Sequence, residues 1–184
     1  MRLRPTLLFL KIVTALFVLA PALVPVASAA PNYKVLHAFT GGYDGGGLWG
    51  SLTLGTKGNV YGTTTGTVFE LAPRTDGKWD LTTVHRFHYP GKDGSGLSGT
   101  LIFDLAGNLY DASQTGGAHG YGVVFELIPH ADGWQEKVLY DFPLPGGGCC
   151  PYGGLVMDSL GNLYGATYSA FELSRGSNGW SATV

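Results

Sequence analysis

Apolar and polar residues along this chain fall into a pattern that recurs three times. Its clearest segment is Val68-Phe69-Glu70-Leu71, which returns as Val124-Phe125-Glu126-Leu127 and Ala170-Phe171-Glu172-Leu173. Alternation sends the phenylalanine and leucine to one face and the glutamate to the other, the period-2 signature of a strand. Each copy follows a Gly-Asn-x-Tyr stretch: Gly58-Asn59-Val60-Tyr61, Gly107-Asn108-Leu109-Tyr110 and Gly161-Asn162-Leu163-Tyr164. The Gly-Asn pairs at 58, 107 and 161 are 49 and then 54 residues apart. A glycine-rich unit of about 50 residues with short strands is the period of a propeller blade or a similar array.

Four strands are expected in each unit. The first is Leu52-Thr53-Leu54, Leu101-Ile102-Phe103 or Leu155-Val156-Met157; the second carries the tyrosine; the third carries Phe-Glu-Leu. A fourth opens at Trp79, Trp134 or Trp180 and runs into 83–87 or 138–142, with 33–39 as a further copy. Gly-Asn between the first and second strands predicts a two-residue hairpin turn, since both residues tolerate positive φ. Glycine-rich loops at 41–50, 90–99 and 145–154 join one unit to the next. The first strands of the second and third units are apolar on both faces, which predicts cover on both sides; Leu52-Thr53-Leu54 alternates, as suits a terminal unit. The fold expected is all-β: antiparallel four-stranded blades of an incomplete β-propeller, with repeats at 35–83, 84–137 and 138–184, the last incomplete. Trp180-Ser181-Ala182-Thr183-Val184 matches the start of an earlier fourth strand and stops. Closed propellers need about four to eight blades. The chain therefore reads as a fragment, a truncated frame or an open array, with blade edges available for self-association.

The first thirty residues are a different object. Arg2 and Arg4 precede an almost wholly apolar run over 6–26, interrupted by Lys11, with Pro21 and Pro25 near its end. Ala27-Ser28-Ala29 fits small-x-small cleavage, so residues 1–29 read as a signal peptide in preference to an uncleaved anchor. The expected location is secreted or cell-envelope, with no membrane attachment after cleavage.

Composition adds exclusions. A net charge of −2 with 13% charged residues offers no basic stripe, and nucleic acid is not an expected partner. Thirty glycines among recurrent apolar positions indicate turns in a folded chain. Cys149 and Cys150 are neighbours, too few for a zinc site or a disulfide scaffold. They are either two loop thiols or a strained vicinal disulfide.

The pattern Leu36-His37-x-Phe39, then Gly-Asn-x-Tyr-Gly, then Gly-Thr-Val-Phe-Glu-Leu resembles the Gloeo/Verruco (GloVer) tandem repeat of secreted bacterial proteins. Residues 58–64 and 66–71 are the nearest matches, and the resemblance covers roughly 33–184. Asp111 departs from it where the family has glycine, and Tyr168-Ser169-Ala170 lacks the Gly-Thr-Val lead-in. The resemblance implies an extracytoplasmic propeller-like array and no particular chemistry.

Candidate chemistry is sparse. Asp104 and Asp158, each three residues before a Gly-Asn pair, read as Asx caps of turns. His37 and His85 share a repeat position that holds Tyr140 in the third unit, so they read as packing residues with a polar tip. No HxH or HExxH spacing supports a metal, and no catalytic, metal or cofactor site is expected. The unit-joining loops and the loops between second and third strands emerge at one rim. They collect Tyr43, Asp44, Trp49, Tyr89, Lys92, Asp93, His119, Tyr121, Cys149, Cys150 and Tyr152. Aromatic faces beside carboxylates would stack a sugar or hold a peptide, an unknown carbohydrate or protein ligand. The expectation is a secreted binding or surface-interaction module. The alternatives are an extracytoplasmic propeller hydrolase or lyase acting on polysaccharide, and a non-functional fragment of a longer array.

Overall fold

The computed structural model describes residues 33–88, 92–97, 99–143, 148–177 and 179–183. The leader expected over 1–29 and the rim residue Tyr89 lie outside them. Val35–Val184 forms one compact unit.

Three antiparallel sheets follow one another along the chain. The first comprises β1 (Thr53–Leu54), β2 (Val60–Thr63), β3 (Thr67–Pro73) and β4 (Trp79–Arg86). The second comprises β5 (Gly94–Leu97), β6 (Ile102–Phe103), β7 (Leu109–Gly116), β8 (Val123–His130) and β9 (Gly133–Asp141). The third comprises β10 (Val156–Met157), β11 (Leu163–Ala166), β12 (Ala170–Gly176) and β13 (Gly179–Thr183). A 3-10 turn at Thr56–Gly58 is the only helical element among the described residues. Register repeats with sequence: Tyr61 lies opposite Glu70, Tyr110 opposite Glu126 and Tyr164 opposite Glu172.

The sheets stack through their apolar faces. Tyr61, Val68, Val84 and Phe87 of the first unit pack with Leu97, Leu101, Leu109, Val123, Phe125 and Leu127 of the second. The opposite face of the second sheet, with Tyr110, Ala112, Val124, Leu139 and Phe142, packs on Leu155, Leu163, Phe171 and Leu173 of the third. A phenylalanine beyond β4 and another beyond β9 seat on the next sheet: Phe87 on Phe125 and Phe142 on Phe171, with ring centroids 5.0 and 5.3 Å apart. Such tilted and edge-to-face pairs add about 0.5–1.5 kcal/mol beyond burial alone.

Four expectations are corrected. Residues 33–39 do not form a strand; no third strand precedes them among the described residues to supply a ladder. Leu36 and Phe39 nevertheless cover the outer face of the first sheet at Val60, Phe69 and Leu71, and Phe39 lies 4.8 Å from Phe69. The Gly-Asn pairs are not two-residue hairpins. Asp104 and Asn108 close a longer connection, in which the Asp104 amide donates to the Asn108 carbonyl at 3.0 Å and the Gly107 amide to the Asp104 carbonyl at 3.2 Å. Only the glycine takes positive φ, +90° at Gly107, while Asn59 stays at −67°. The loop at 90–99 contains a strand, β5, because β7 outruns its counterparts and offers Gly116, Thr115 and Ser113 as partners. Finally, apolarity on both faces does not mean cover on both faces in every first strand. Leu155 is buried but Val156 is 66% exposed, because no further sheet stacks on that side among the described residues.

The fourth strands hold the feature that positions the rest. The register of β3 with β4 slips between Val68 and Phe69, where His85 and Thr83 are the successive partners, so Val84 is bulged out. The same slip between Val124 and Phe125 bulges Leu139. One extra residue inverts the alternation downstream of it. Trp134 therefore faces back to the first sheet's cluster, whereas Tyr140 and Phe142 face forward to the third.

Candidate functional site

The loops that join units and the loops between second and third strands share one end of the sheets, tied by backbone hydrogen bonds. Thr65 donates to the Gly46 carbonyl at 3.2 Å and accepts from Gly96 at 3.1 Å; Cys150 donates to the Tyr121 carbonyl at 2.8 Å. Each tie crosses from one loop to another, so the rim is a scaffolded surface.

On it, Tyr43 is 90% exposed, and the Arg86 guanidinium lies 5.6 Å from its ring centre while hydrogen-bonding the Tyr43 carbonyl. Asp44 points inward. It accepts from the Thr40 hydroxyl at 2.7 Å and amide at 2.8 Å and sits 3.4 Å from His37. The Thr40 hydroxyl leads these contacts in pulling its carboxyl down to about 2. Trp49, 73% exposed, borders a cavity of about 290 Å³ with Thr65, Gly96, Leu97 and Gln114. Asp93 accepts from the His88 amide at 2.9 Å.

Farther along, the His119 ring stands 3.1 Å from Asp141, whose other oxygen accepts from the Ala118 amide at 2.6 Å. Tyr121 is half-buried against the cluster between the second and third sheets and is unavailable as a flat platform. Tyr152 meets Tyr168 edge-on at 6.1 Å, and the Tyr168 hydroxyl pushes its phenol up. Cys149 and Cys150 are thiols with sulfurs 2.7 Å apart, and Cys150 adopts φ +60°. The neighbouring Cys149 thiol, ahead of burial, pushes Cys150 up to about 11. The rim residues thus form a row of separate stations: Tyr43 with Arg86, Trp49 with its cavity, His119 with Asp141, and Tyr152 with Tyr168.

The Asp, Asn, Tyr and Glu positions of the repeat form a network between turns and strands. Asp104 Oδ1 accepts from the Ala106 and Asn108 amides, both at 2.9 Å, which is the Asx cap expected of it. Its Oδ2 accepts from the Asn108 side chain at 2.8 Å and the Tyr110 hydroxyl at 3.0 Å. Desolvation pulls this carboxyl up, and those hydrogen bonds together outweigh it, leaving a lowered pKa. Asp158 repeats the cap with Leu160 and Asn162. These groups hold turns and leave no carboxylate pair aimed at a substrate.

Two grooves at the opposite end of the sheets escaped sequence reasoning. One of about 560 Å³ is bordered by Leu54, Tyr61, Phe103, Leu105 and Trp134; the other, of about 860 Å³, by Phe103, Leu105, Met157, Asp158 and Leu160. Leucines at turn tips were the available signal, since Leu105 and Leu160 are fully or largely exposed.

No curated protein matches this chain. The Gly-Asn-x-Tyr turns and Phe-Glu-Leu strands recur as a repeat, and the chain belongs to the Gloeobacter/Verrucomicrobia repeat family, whose model matches residues 22–178.

Proposed function

We propose that this chain is an exported binding module in which three consecutive blades of a β-propeller array present an aromatic rim to carbohydrate. The consecutive antiparallel order of each sheet and the burial of both faces of the second sheet support the blade reading. The basic, apolar and small-residue sequence of residues 1–29 supports export. The observation that carries the binding reading is the exposure of Tyr43, Trp49 and Tyr168 on loops tied together by backbone hydrogen bonds. Aromatic rings held rigidly in water stack on the apolar faces of sugars, and the carboxylates and glycine amides beside them offer hydrogen bonds.

The test is a glycan array probed with the wild-type chain and with Tyr43→Ala, Trp49→Ala and Tyr168→Ala combined. Loss of a glycan signal in the variant supports the reading. A glycan signal equal in both, or a signal from a peptide array alone, overturns it. A second reading rests on His119 and Asp141, since an imidazole oriented by a carboxylate suits general acid–base work. Polysaccharide cleavage abolished by His119→Ala would replace the binding module with a hydrolase or lyase.

A further inference from the structure

We propose that His85, Asp93 and Glu136 form a binding site for a divalent transition-metal cation of the zinc class, in the seam between the first and second sheets. The three residues come from β4, the loop after it and β9, and one ligand atom from each lies within 4.8 Å of the others. His85 Nε2 stands 3.5 Å from Glu136 Oε2. Ligand atoms bonded tetrahedrally at about 2.0–2.2 Å are roughly 3.3–3.6 Å apart, so this edge of the site is already at coordination distance. Asp93, whose Oδ2 accepts from the His88 amide, lies within 4.8 Å of the other two and has to draw in to complete the site. The side chains of His85, Asp93 and Glu136 are 18%, 16% and 14% exposed, which leaves room for entry and shields the site from bulk water.

Two atoms make the case sharper. His85 Nε2 and Glu136 Oε1 are both buried from solvent and have no hydrogen-bond partner. Buried polar atoms in folded proteins are nearly always satisfied, and an orphan calls for an unseen partner. An ion pair between a protonated His85 and Glu136 engages Oε2 and still leaves Oε1 without a donor. A cation held by His85 Nε2 and chelated by both Glu136 oxygens satisfies both. The imidazole nitrogen disfavours calcium and magnesium, which take oxygen ligands, and suits zinc. Three protein ligands leave a fourth position for water.

The repeats supply an internal control. His37 holds the equivalent place in the first unit and likewise lies 3.4 Å from an aspartate, Asp44. Opposite it, however, the position equivalent to Glu136 is Leu81: Leu81 pairs with Leu71 as Glu136 pairs with Leu127. In the third unit the position is Ala182, packed in the same cluster as Tyr140. An apolar contact at two seams is a triad of ligands at the third. Local spacing could not show it, because Glu136 reaches His85 only through the bulge at Val84, which turns His85 toward the second sheet.

The experiment titrates the full chain, freed of metal by chelator, with zinc in a calorimeter, and records thermal unfolding with and without zinc. The expected result is one zinc per chain and a rise in Tm that chelator reverses. His85→Gln and Glu136→Gln each weaken binding by at least about tenfold, since even outer-shell changes at metal sites cost that much. Glu136→Leu installs the residue of the first sheet, keeps the wild-type circular dichroism spectrum and loses the zinc. His37→Gln binds as wild type, and calcium in place of zinc gives no saturable heat. Absence of saturable zinc binding overturns the proposal, as does binding that survives Glu136→Leu or falls equally with His37→Gln.

Discussion

The Tyr110 hydroxyl donates to Glu126 at 2.7 Å, between residues that face each other across β7 and β8. Tyr61 and Glu70 make the same bond at 2.8 Å in the first sheet. In the third sheet Tyr164 turns to Asp158 at 3.1 Å, while Glu172 takes the Ser174 hydroxyl. The difference follows cover: Tyr61 and Tyr110 are buried beneath a following sheet, while Tyr164 is 37% exposed. Burial, more than the hydrogen bonds, raises the phenols of Tyr61, to about 12, and of Tyr110.

Tyr110→Phe should therefore cost about 1–3 kcal/mol, because it removes the shorter of two hydrogen bonds to a buried carboxylate and leaves only the Asn108 side chain, whereas Tyr164→Phe should stay within about 0.5 kcal/mol. Urea denaturation of the two variants checks this. Equal losses would mean that cover by the next sheet does not set the strength of the bond.

Asp111 is fully buried, with neither carboxylate oxygen in a hydrogen bond of normal geometry, and its neighbours in the repeat are Gly62 and Gly165. Burial pushes its carboxyl up to about 7, against a weaker downward pull from the Ala112 amide. A raised carboxyl pKa means that the folded state holds the proton more tightly than the unfolded chain. The stability it confers is complete below about pH 4 and drains away as pH rises through about 7, a swing of roughly 4 kcal/mol. Asp111→Asn should flatten the fall in Tm between pH 4 and 8. A variant whose Tm tracks wild type across that range would show that Asp111 is solvated or paired.

Asp104 predicts the opposite slope. Its carboxyl is lowered, so its contribution is present above the unfolded pKa and is lost as pH falls through the lower folded one. Asp104→Ala removes the cap and should cost about 1 kcal/mol at pH 7, with the gap to wild type closing in strong acid. Chemical denaturation at pH 7 and pH 2 measures both ends.

The bulge at Leu139 sets which way Phe142 points, and Phe142 is completely buried against the third sheet. Phe142→Ala should cost about 3–5 kcal/mol by truncation alone. Inserting one alanine between Tyr140 and Asp141 should do more: it shifts the alternation by one residue, turns Phe142 to the wrong face and undocks the third sheet. Limited proteolysis should then cut within 148–177, sites that the wild-type chain protects.

Trp49 is the counter-example among large residues. At 73% exposure it contributes little to packing, so Trp49→Ala should leave stability within about 0.5 kcal/mol of wild type. A drop in glycan affinity without a change in Tm would assign the ring to recognition.

The amino-acid sequence by itself determined the three repeats, most of the strands and the faces of Phe69, Phe125 and Phe171. Period-2 alternation and turn residues act over a few positions, and they need no knowledge of what lies across the chain. Even the role of 33–39 was half legible: Phe39 does cover Phe69, although the segment is no strand. The tertiary structure alone decided what depends on stacking and parity. Val156 is wet and Leu155 dry because, among the described residues, a sheet covers one side only, a fact about neighbours and not about Leu-Val-Met. Single-residue bulges at Val84 and Leu139 leave no mark in composition or period, yet each inverts every side chain beyond it. That inversion brings His85 to Glu136, two residues 51 positions apart whose meeting no local spacing encodes.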